Sequence, residues 1–324
     1  MLNIYQVCTK FFELENINKF KFCNKKLYIF NEKSGMFDED NDINIKNYLD
    51  KYEPEFGNFF NKNSNFRSFV SEIKYRCRDN DWINNNINSS LGYLLYNDGI
   101  YNMKTGVFKK EFDYNIVFFD KIYHDFPEYN KNDIDYVRKN YFEKYFIYPE
   151  QVIIIISIAL AACDHDLKKY YFCYGNGSNG KSTFFRMLKI VFCEYVNNEF
   201  NNFNNRFKRI IYSEIFDDLL TNDLIKHINN ENVKFIPNST IFFMMNSIPE
   251  MDTNIEFLNF FEFIEFPNKF IGKEKIIDLN MSEQFIRGFT HLILDGYKDF
   301  LINGMPFIDQ SLKNKYICIV NEFT

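Results

Sequence analysis

The chain has 324 residues, enough for one or two domains that each bury a hydrophobic core. Its formal net charge is −6, and no block of Lys and Arg resembles a basic tail, which argues against a large electropositive surface that grips duplex nucleic acid by itself. The seven cysteines include no Cys-x-x-Cys pair, which excludes the common zinc and redox motifs and fits a reducing compartment.

The composition is rich in aromatic residues, with 40 Phe and 22 Tyr but one Trp. The abundant residues Phe, Tyr, Ile, Asn and Lys all have A/T-rich codons. We therefore interpret the aromatic content as genome composition and not as an aromatic binding platform.

Neither a signal peptide nor a membrane span is predicted. Glu13 and Glu15 interrupt the N-terminal segment early. The most apolar run, 152–163, is shorter than the roughly 20 residues that a membrane span needs. We expect a cytoplasmic protein that is not secreted and has no membrane partner.

In the first half of the chain, turn residues join short apolar runs. The segment 27–37 reads as a hairpin with a glycine at its turn. The segment 91–101 contains Asn-Asp-Gly, the strongest short hairpin signal, and the chain turns again at 104–106. Apolar residues at helical intervals predict a helix between 133 and 146.

The second half begins near Pro149-Glu150, since a proline followed by an acid is typical of a helix start. Short apolar runs then alternate with helices or loops, which predicts a mainly parallel sheet covered by helices. The expected strands are 170–174, 210–213, 240–245 and 261–266.

A last helix is predicted from Ser282 to Asn303, with an apolar stripe that packs in the core. The predicted organisation is thus a smaller α+β domain, 1–148, followed by an α/β domain, 149–324, which is closed by this helix.

A phosphate-binding motif lies in the second half. Residues 175–182, here called the phosphate loop, form the complete pattern G-x-x-x-x-G-K-[ST]. Glycines let successive N–H groups point into one concavity, and the following helix N-terminus favours anions. Lys181 is predicted to reach the β- and γ-phosphates of ATP, and the Ser182 hydroxyl to ligate Mg²⁺. The predicted nucleotide-binding residues are Gly175, Asn176, Gly177, Ser178, Asn179, Gly180, Lys181, Ser182 and Thr183.

The alternative for this motif is a glycine-rich surface turn. A predicted strand, 171–174, precedes the loop, and a predicted helix, 183–195, follows it. This is the context that a phosphate-binding loop requires, so the functional interpretation is preferred.

Two polar residues at predicted strand ends complete the candidate catalytic set with Lys181. Glu214 is predicted to hold the waters of Mg²⁺ and to orient the attacking water. The alternative is a strand-terminal Glu that faces solvent; Asp217 and Asp218 follow on the next loop. Asn246 is predicted to sense the γ-phosphate, and its alternative is an Asn that begins a turn.

Together these residues resemble superfamily 3 helicases, in particular the poxvirus-type primase–helicase group of large DNA viruses and related mobile elements. The loop with its inner Asn, 177–182, is the most specific part of the resemblance. Residues 212–214 match the second motif of the group, and Asn246, Pro249 and Asp252 match the third. Three further segments are similar to the group: 97–106, 116–127 and 294–298.

The resemblance covers roughly residues 22–304 and implies an AAA+-like P-loop sheet in a hexameric, homo-oligomeric ring. It implies an NTPase that hydrolyses ATP and unwinds DNA during viral replication, with single-stranded or forked DNA as substrate. It further implies a separate primase or polymerase as partner, because no primase sequence is recognised here, and a location in the host cytoplasm or a viral factory.

The chain departs from this family in two places. Family members carry arginines on the strand after the third motif, and one of them reaches into a neighbour's ATP; the corresponding stretch, 259–267, has none. Loss of such an arginine costs roughly 10³–10⁵ in kcat. The stretch between Glu214 and Asn246, where the family has a basic hairpin, is shorter. The cations left in it are Lys226, His227 and Lys234. The candidate substitutes for the arginine lie elsewhere, at Arg206, Arg209 and Arg287.

Three functional hypotheses follow. The first is an ATP-driven helicase of DNA replication. The second is a shortened relative that keeps nucleotide binding but has lost motor output, as a structural or regulatory subunit of a viral assembly. The third, an unrelated P-loop kinase, requires a substrate lid and an acceptor site that the sequence does not reveal.

Overall fold

A computed structural model describes residues 3–40, 43–163, 170–198, 208–214, 239–246, 261–270 and 282–306. The chain divides into two compact units, of which the first comprises Met1–Ser90 and Glu111–Phe119 and the second comprises Leu91–Lys110 and Asp120–Thr324. Residues 120–148 thus belong to the same compact unit as the phosphate loop. The boundary between predicted domains at 148/149 stays a prediction.

The first unit combines helices with a three-stranded antiparallel sheet of order β1-β2-β3. Its helices are α1 (Ile4–Leu14), α2 (Ile43–Asp50), α3 (Glu53–Phe56), α4 (Asn63–Arg76) and α5 (Trp82–Asn86). Its strands are β1 (Phe20–Cys23), β2 (Lys26–Asn31) and β3 (Met36–Glu39). The pairing of β2 with β3 confirms the first predicted hairpin. Short 3₁₀ helices follow α1 and α3, at Ile17–Lys19 and Gly57–Asn61.

The core of the first unit was not predicted from the sequence. Helix α4 presents Phe66, Phe69, Val70 and Ile73 on one face, and all four are buried. Their spacing is the ordinary apolar stripe of a helix that packs against a core. A capping box at Asn3 starts α1, which packs against the same core.

The second unit begins with strands β4 (Tyr93–Tyr96), β5 (Gly99–Asn102) and β6 (Val107–Lys109), which form an antiparallel sheet and confirm the predicted turns. Helix α6 (Lys131–Val137), a π-helical segment (Arg138–Phe142) and α7 (Glu143–Tyr145) occupy the predicted helix. The remaining elements are α8 (Pro149–Ala161), β7 (Tyr170–Tyr174), α9 (Lys181–Phe192), a 3₁₀ turn (Cys193–Tyr195), β8 (Val196–Asn197), β9 (Ile210–Glu214), β10 (Thr240–Met245), β11 (Phe261–Glu265) and α10 (Glu283–Asn303).

Five strands form a parallel sheet of order β11-β7-β10-β9-β8, which confirms the predicted α/β class. β7 lies between β10 and β11, and Tyr174 at its end is paired in register with Met245 and Glu265. Carboxyl ends of parallel strands lie at one edge of a sheet. The phosphate loop therefore leaves the sheet between the ends of β10 and β11.

Helices α8, α9 and α10 form much of the core around this sheet. Residues 151–161 of α8 are all buried. Helix α10 packs closely on α8, because a Cβ at Gly296 would lie 2.6 Å from Ile153 Cγ2. The Ser282 side chain accepts a hydrogen bond from Phe285 N, which confirms the predicted helix start.

In the described residues no single helix is both long enough and apolar enough to cross a membrane. One pair of helices, 131–145 and 149–161, has the required length and apolar content when taken together, but the pair is bent by 106°.

His291 on α10 predicts a pH dependence of stability. Its side chain is 6% exposed, packs against Phe126 and Tyr129, and donates from Nε2 to Pro127 O at 2.8 Å. Burial lowers the pKa of His291 below its usual range, although the bond to Pro127 opposes the shift. Between the two pKa values the folded state therefore binds fewer protons than the unfolded state. The contribution of neutral, buried His291 to the free energy of unfolding is complete above the unfolded pKa of about 6.5, and it is lost as the pH falls through the lowered pKa of the folded state.

We expect the melting temperature of the wild type to fall, relative to that of His291→Gln, as the pH is lowered from 8 to 5.5. The Gln amide can still donate to Pro127 O but does not titrate. Thermal unfolding of both proteins at each pH measures the difference, in which the other titrating groups cancel. Parallel curves for the two proteins would contradict the prediction.

Candidate functional site

The phosphate loop connects β7 to α9 and is anchored at both ends. Gly175 N donates to Met245 O of β10 at 3.3 Å, and Phe184 N donates to Gly180 O at 2.8 Å. Residues 176–178 are exposed between these anchors. The loop thus has a fixed base in the sheet and an outer part, 176–178, that is open to solvent.

The three loop glycines differ in what surrounds them. A Cβ at Gly175 would overlap the Asn179 amide and lie 2.6 Å from Phe266 O. Gly180 has φ +85°, and a Cβ there would overlap the Tyr145 ring. A Cβ at Gly177 would meet nothing within 4 Å. The space next to Gly177 is therefore open, whereas Gly175 and Gly180 are required by the protein's own packing.

Lys181, the first residue of α9, is 6% exposed and directs its ammonium group into the loop. Its Nζ donates to Gly175 O at 2.6 Å, to Asn179 Oδ1 at 2.9 Å and to Asn246 Oδ1 at 3.2 Å. The structure thus brings the loop lysine together with the Asn predicted at the end of β10. A buried ammonium group requires such acceptors, because burial of an uncompensated charge is costly.

Asn179 is 4% exposed, and both ends of its amide are bonded to the protein. Oδ1 accepts from Lys181, while Nδ2 donates to Phe266 O at 3.3 Å. Asn179 is still predicted to bind nucleotide, but through its backbone N–H, because its side chain is bonded to the protein. Its side chain instead links the residue that follows β11 to the ammonium group of Lys181.

The other predicted site residues lie around this centre. Ser182 is exposed and Thr183 is half-buried on the first turn of α9. Asn246 is exposed at the tip of β10, one residue beyond the strand. Glu214 is the last residue of β9 and pairs in register with Met244, and its side chain lies outside the described residues. Asp217 and Asp218 lie outside them as well.

Three aromatic residues contact the loop or close the space beside it, and none of them was predicted from the sequence to do so. Phe266 N donates to Tyr174 O at 2.8 Å, and Phe270 N donates to Ser178 O at 3.0 Å. The Phe270 ring lies 5.0 Å from the Tyr145 ring, which closes the space at Gly180. Residues 266–270 therefore form one wall of the loop. In a chain with 40 Phe, no local signal marks these positions.

Two of the arginines considered as substitutes for the missing family arginine are engaged in the protein. Arg209 is 2% exposed and donates to the backbone oxygens of Leu160 and, at 2.7 Å, Tyr93. Burial lowers the pKa of its guanidinium group. Arg287 Nε lies 2.6 Å from the carboxylate of Asp133. Both arginines are thus engaged within the chain, and Arg206 lies outside the described residues.

The loop residues fit a nucleotide with Mg²⁺. The loop is open next to Gly177, Ser182 is exposed on the first turn of α9, and Lys181 directs its ammonium group toward the loop and Asn246. No group of three or more His, Cys, Asp or Glu residues in the described part of the chain could hold a metal ion. Mg²⁺ needs no such cage, because it is commonly bound through one or two protein oxygens together with phosphate oxygens and waters.

No family model matches the chain. A protein of the Sputnik virophage named "Putative helicase V13" is 34% identical over 370 aligned residues, which cover 95% of this chain and 47% of that protein. The chain is thus similar to a viral helicase-like protein. It spans about half the length of this curated relative. Because the aligned length exceeds 324, the virophage protein has additional residues within the aligned region.

Solved structures of the C-terminal region of NrS-1 are also similar. The apo structure of its residues 305–718 has a TM-score of 0.40 and 18% identity, and covers 59% of this chain and 52% of that chain. An A-form apo structure has a TM-score of 0.38 and 17% identity, with the same coverage.

Proposed function

We propose that this chain binds ATP with Mg²⁺ and hydrolyses it as a superfamily 3 helicase-like protein of viral or mobile-element DNA replication. The observation that carries the proposal is the bond from Lys181 Nζ to Asn246 Oδ1, 65 positions apart, at the mouth of a complete phosphate-binding motif. The similarity to the virophage protein supports the same proposal.

In this proposal each group has one task. The N–H groups of the loop and the first turn of α9 hold the phosphates, and Lys181 exchanges its acceptors for phosphate oxygens. Ser182 holds Mg²⁺, which neutralises the charge that develops on the phosphates. Glu214 and Asn246 orient the attacking water, Asn246 from the tip of β10 next to the loop.

The alternative is a nucleotide-binding subunit without motor activity. It is favoured by Arg209 and Arg287, which are engaged within the protein, and by the lack of arginine in 259–267. An arginine that completes a neighbour's site is worth roughly 10³–10⁵ in kcat. Its loss would leave binding intact and make turnover very slow.

ATP turnover by the purified chain, with and without forked DNA, tests the proposal. We expect hydrolysis that DNA stimulates, unwinding of the fork, and a larger assembly by size-exclusion chromatography when ATP is present. ATP-dependent assembly with negligible turnover would instead support the subunit without motor activity. Calorimetry that finds no affinity for ATP or GTP in the folded protein would contradict both.

A further inference from the structure

The segment 266–270, which follows β11, is held against the phosphate loop and its neighbours by four hydrogen bonds. Phe266 N bonds to Tyr174 O, and Phe266 O accepts from the Asn179 amide. Asn268 Nδ2 donates to Lys144 O at 2.5 Å, and Phe270 N donates to Ser178 O at 3.0 Å. The segment is thus fixed at its start, middle and end.

Lys269 lies inside this fixed segment, directly before the residue that bonds to Ser178. Its side chain is exposed, and it makes no ion pair or hydrogen bond in the part of the chain that the structure describes. A lysine side chain is a flexible stem of about 6 Å that ends in three donors. Because Phe270 N bonds to Ser178 O, the stem of Lys269 begins close to the loop, and none of the described carboxylates pairs with its ammonium group.

The part of the loop next to this segment is open to solvent. Residues 176–178 are exposed there, and a Cβ at Gly177 would meet nothing within 4 Å. The neighbouring Phe270 ring packs on Tyr145, so the segment cannot swing away without uncovering Gly180. Lys181 is buried where it contacts the loop, whereas Lys269 is exposed to solvent.

We infer that Lys269 is a second cation of the nucleotide site, which binds the phosphates of a bound nucleoside triphosphate from the outer side of the phosphate loop. This inference rests on the proposed function. It assigns a binding contact to a residue just beyond 259–267, the stretch in which the family resemblance implies an arginine and the sequence has none.

Calorimetric titration with ATP, ADP and AMP, each with Mg²⁺, tests the inference on three variants. Lys269→Gln should weaken ATP and ADP binding by about tenfold at low salt and AMP binding less, and the loss should shrink in high salt, which screens exposed charges. Lys269→Arg should bind as the wild type does. Lys189→Gln is the matched control, because Lys189 is exposed on α9 and bonds to Asn198.

The outcomes separate this inference from the proposed function. If Lys269→Gln binds ATP as tightly as the wild type while Lys181→Ala does not bind, Lys269 has no role and the phosphate site remains. Equal weakening for ATP and AMP would also overturn the inference, because the contact would not involve the β- and γ-phosphates. A wild type that binds no triphosphate would overturn both proposals. Unchanged melting temperatures would verify that the variants fold.

Discussion

Replacement of Lys181 by Ala is expected to weaken ATP binding by about 100-fold or more and to abolish turnover. The ammonium group sits where the loop converges with β10, and phosphate oxygens would accept from it in place of Asn179 and Asn246. Each charge-assisted bond is worth about 1.5–3 kcal/mol, and about 1.4 kcal/mol corresponds to a factor of ten in affinity. Calorimetric titration with Mg-ATP and a phosphate-release assay measure the two effects.

The control is Lys189→Ala on the same helix. Lys189 is exposed two turns beyond the loop and carries the same charge, so this variant tests whether net charge alone matters. It should bind ATP as the wild type does. Equal losses in both variants would mean that the chain attracts nucleotide through its general charge, and the proposed role of Lys181 would be wrong.

The meeting of Lys181 with Asn246 could be predicted from the sequence. Both residues follow apolar runs of strand length, and the carboxyl ends of parallel strands share one edge of the sheet. This reasoning needs only the order of strands and loops. It does not give the distance, and it cannot show that Asn179 binds the same ammonium group through its side chain.

The surroundings of the loop could not be predicted in this way. Tyr145 belongs to a short helix that follows a π-helical segment, and Phe270 follows β11; both reach the loop through packing between distant parts of the chain. Period and spacing describe which face of an element is apolar, but they do not say which element covers it. In a chain so rich in Phe and Tyr, two more aromatic residues carry no signal.

Arg209 looks like a functional residue in the sequence but has a structural role. The sequence presents it as an arginine next to a strand of the predicted parallel sheet, and therefore as a candidate for contact with nucleotide. In the structure its guanidinium group lies 4.6 Å from the Tyr195 ring and bonds to the carbonyl of Leu160 near the end of α8. A cation at a helix C-terminus is electrostatically favourable. Only tertiary contacts distinguish this structural role from a functional one.

Helix α4, in contrast, could have been recognised. Its four buried residues repeat at helical intervals, and Lys74 and Arg76 lie in its last turn, where cations stabilise a helix. The hairpin signals on either side of it are stronger in the sequence, so the predicted elements of the first half are mostly strands. The predictions of the phosphate loop and of the strand before it did not depend on these signals, because the loop motif has a fixed spacing.

The loop glycines provide a second strong prediction, in which three similar substitutions have different effects. Gly180→Ala forces a side chain into a left-handed conformation, at a cost of about 1–2 kcal/mol, and into the Tyr145 ring. Gly175→Ala places a Cβ against the Asn179 amide and the backbone oxygen of Phe266. We expect each to lower stability by about 2–4 kcal/mol, a range typical of strain and overpacking, and to weaken ATP binding.

Gly177→Ala should behave differently, because its added methyl group points into open space and its backbone is outside the left-handed region. We expect its melting temperature to stay within about 2 °C of the wild type, since a change below about 0.5 kcal/mol shifts a domain of this size by that little. ATP binding should nevertheless weaken, because the methyl group would occupy the space over the loop. Thermal unfolding and calorimetry on the three variants measure both quantities. If Gly177→Ala binds ATP as tightly as the wild type, the phosphates do not lie over residue 177; if it unfolds as early as Gly175→Ala, the space above it is not open.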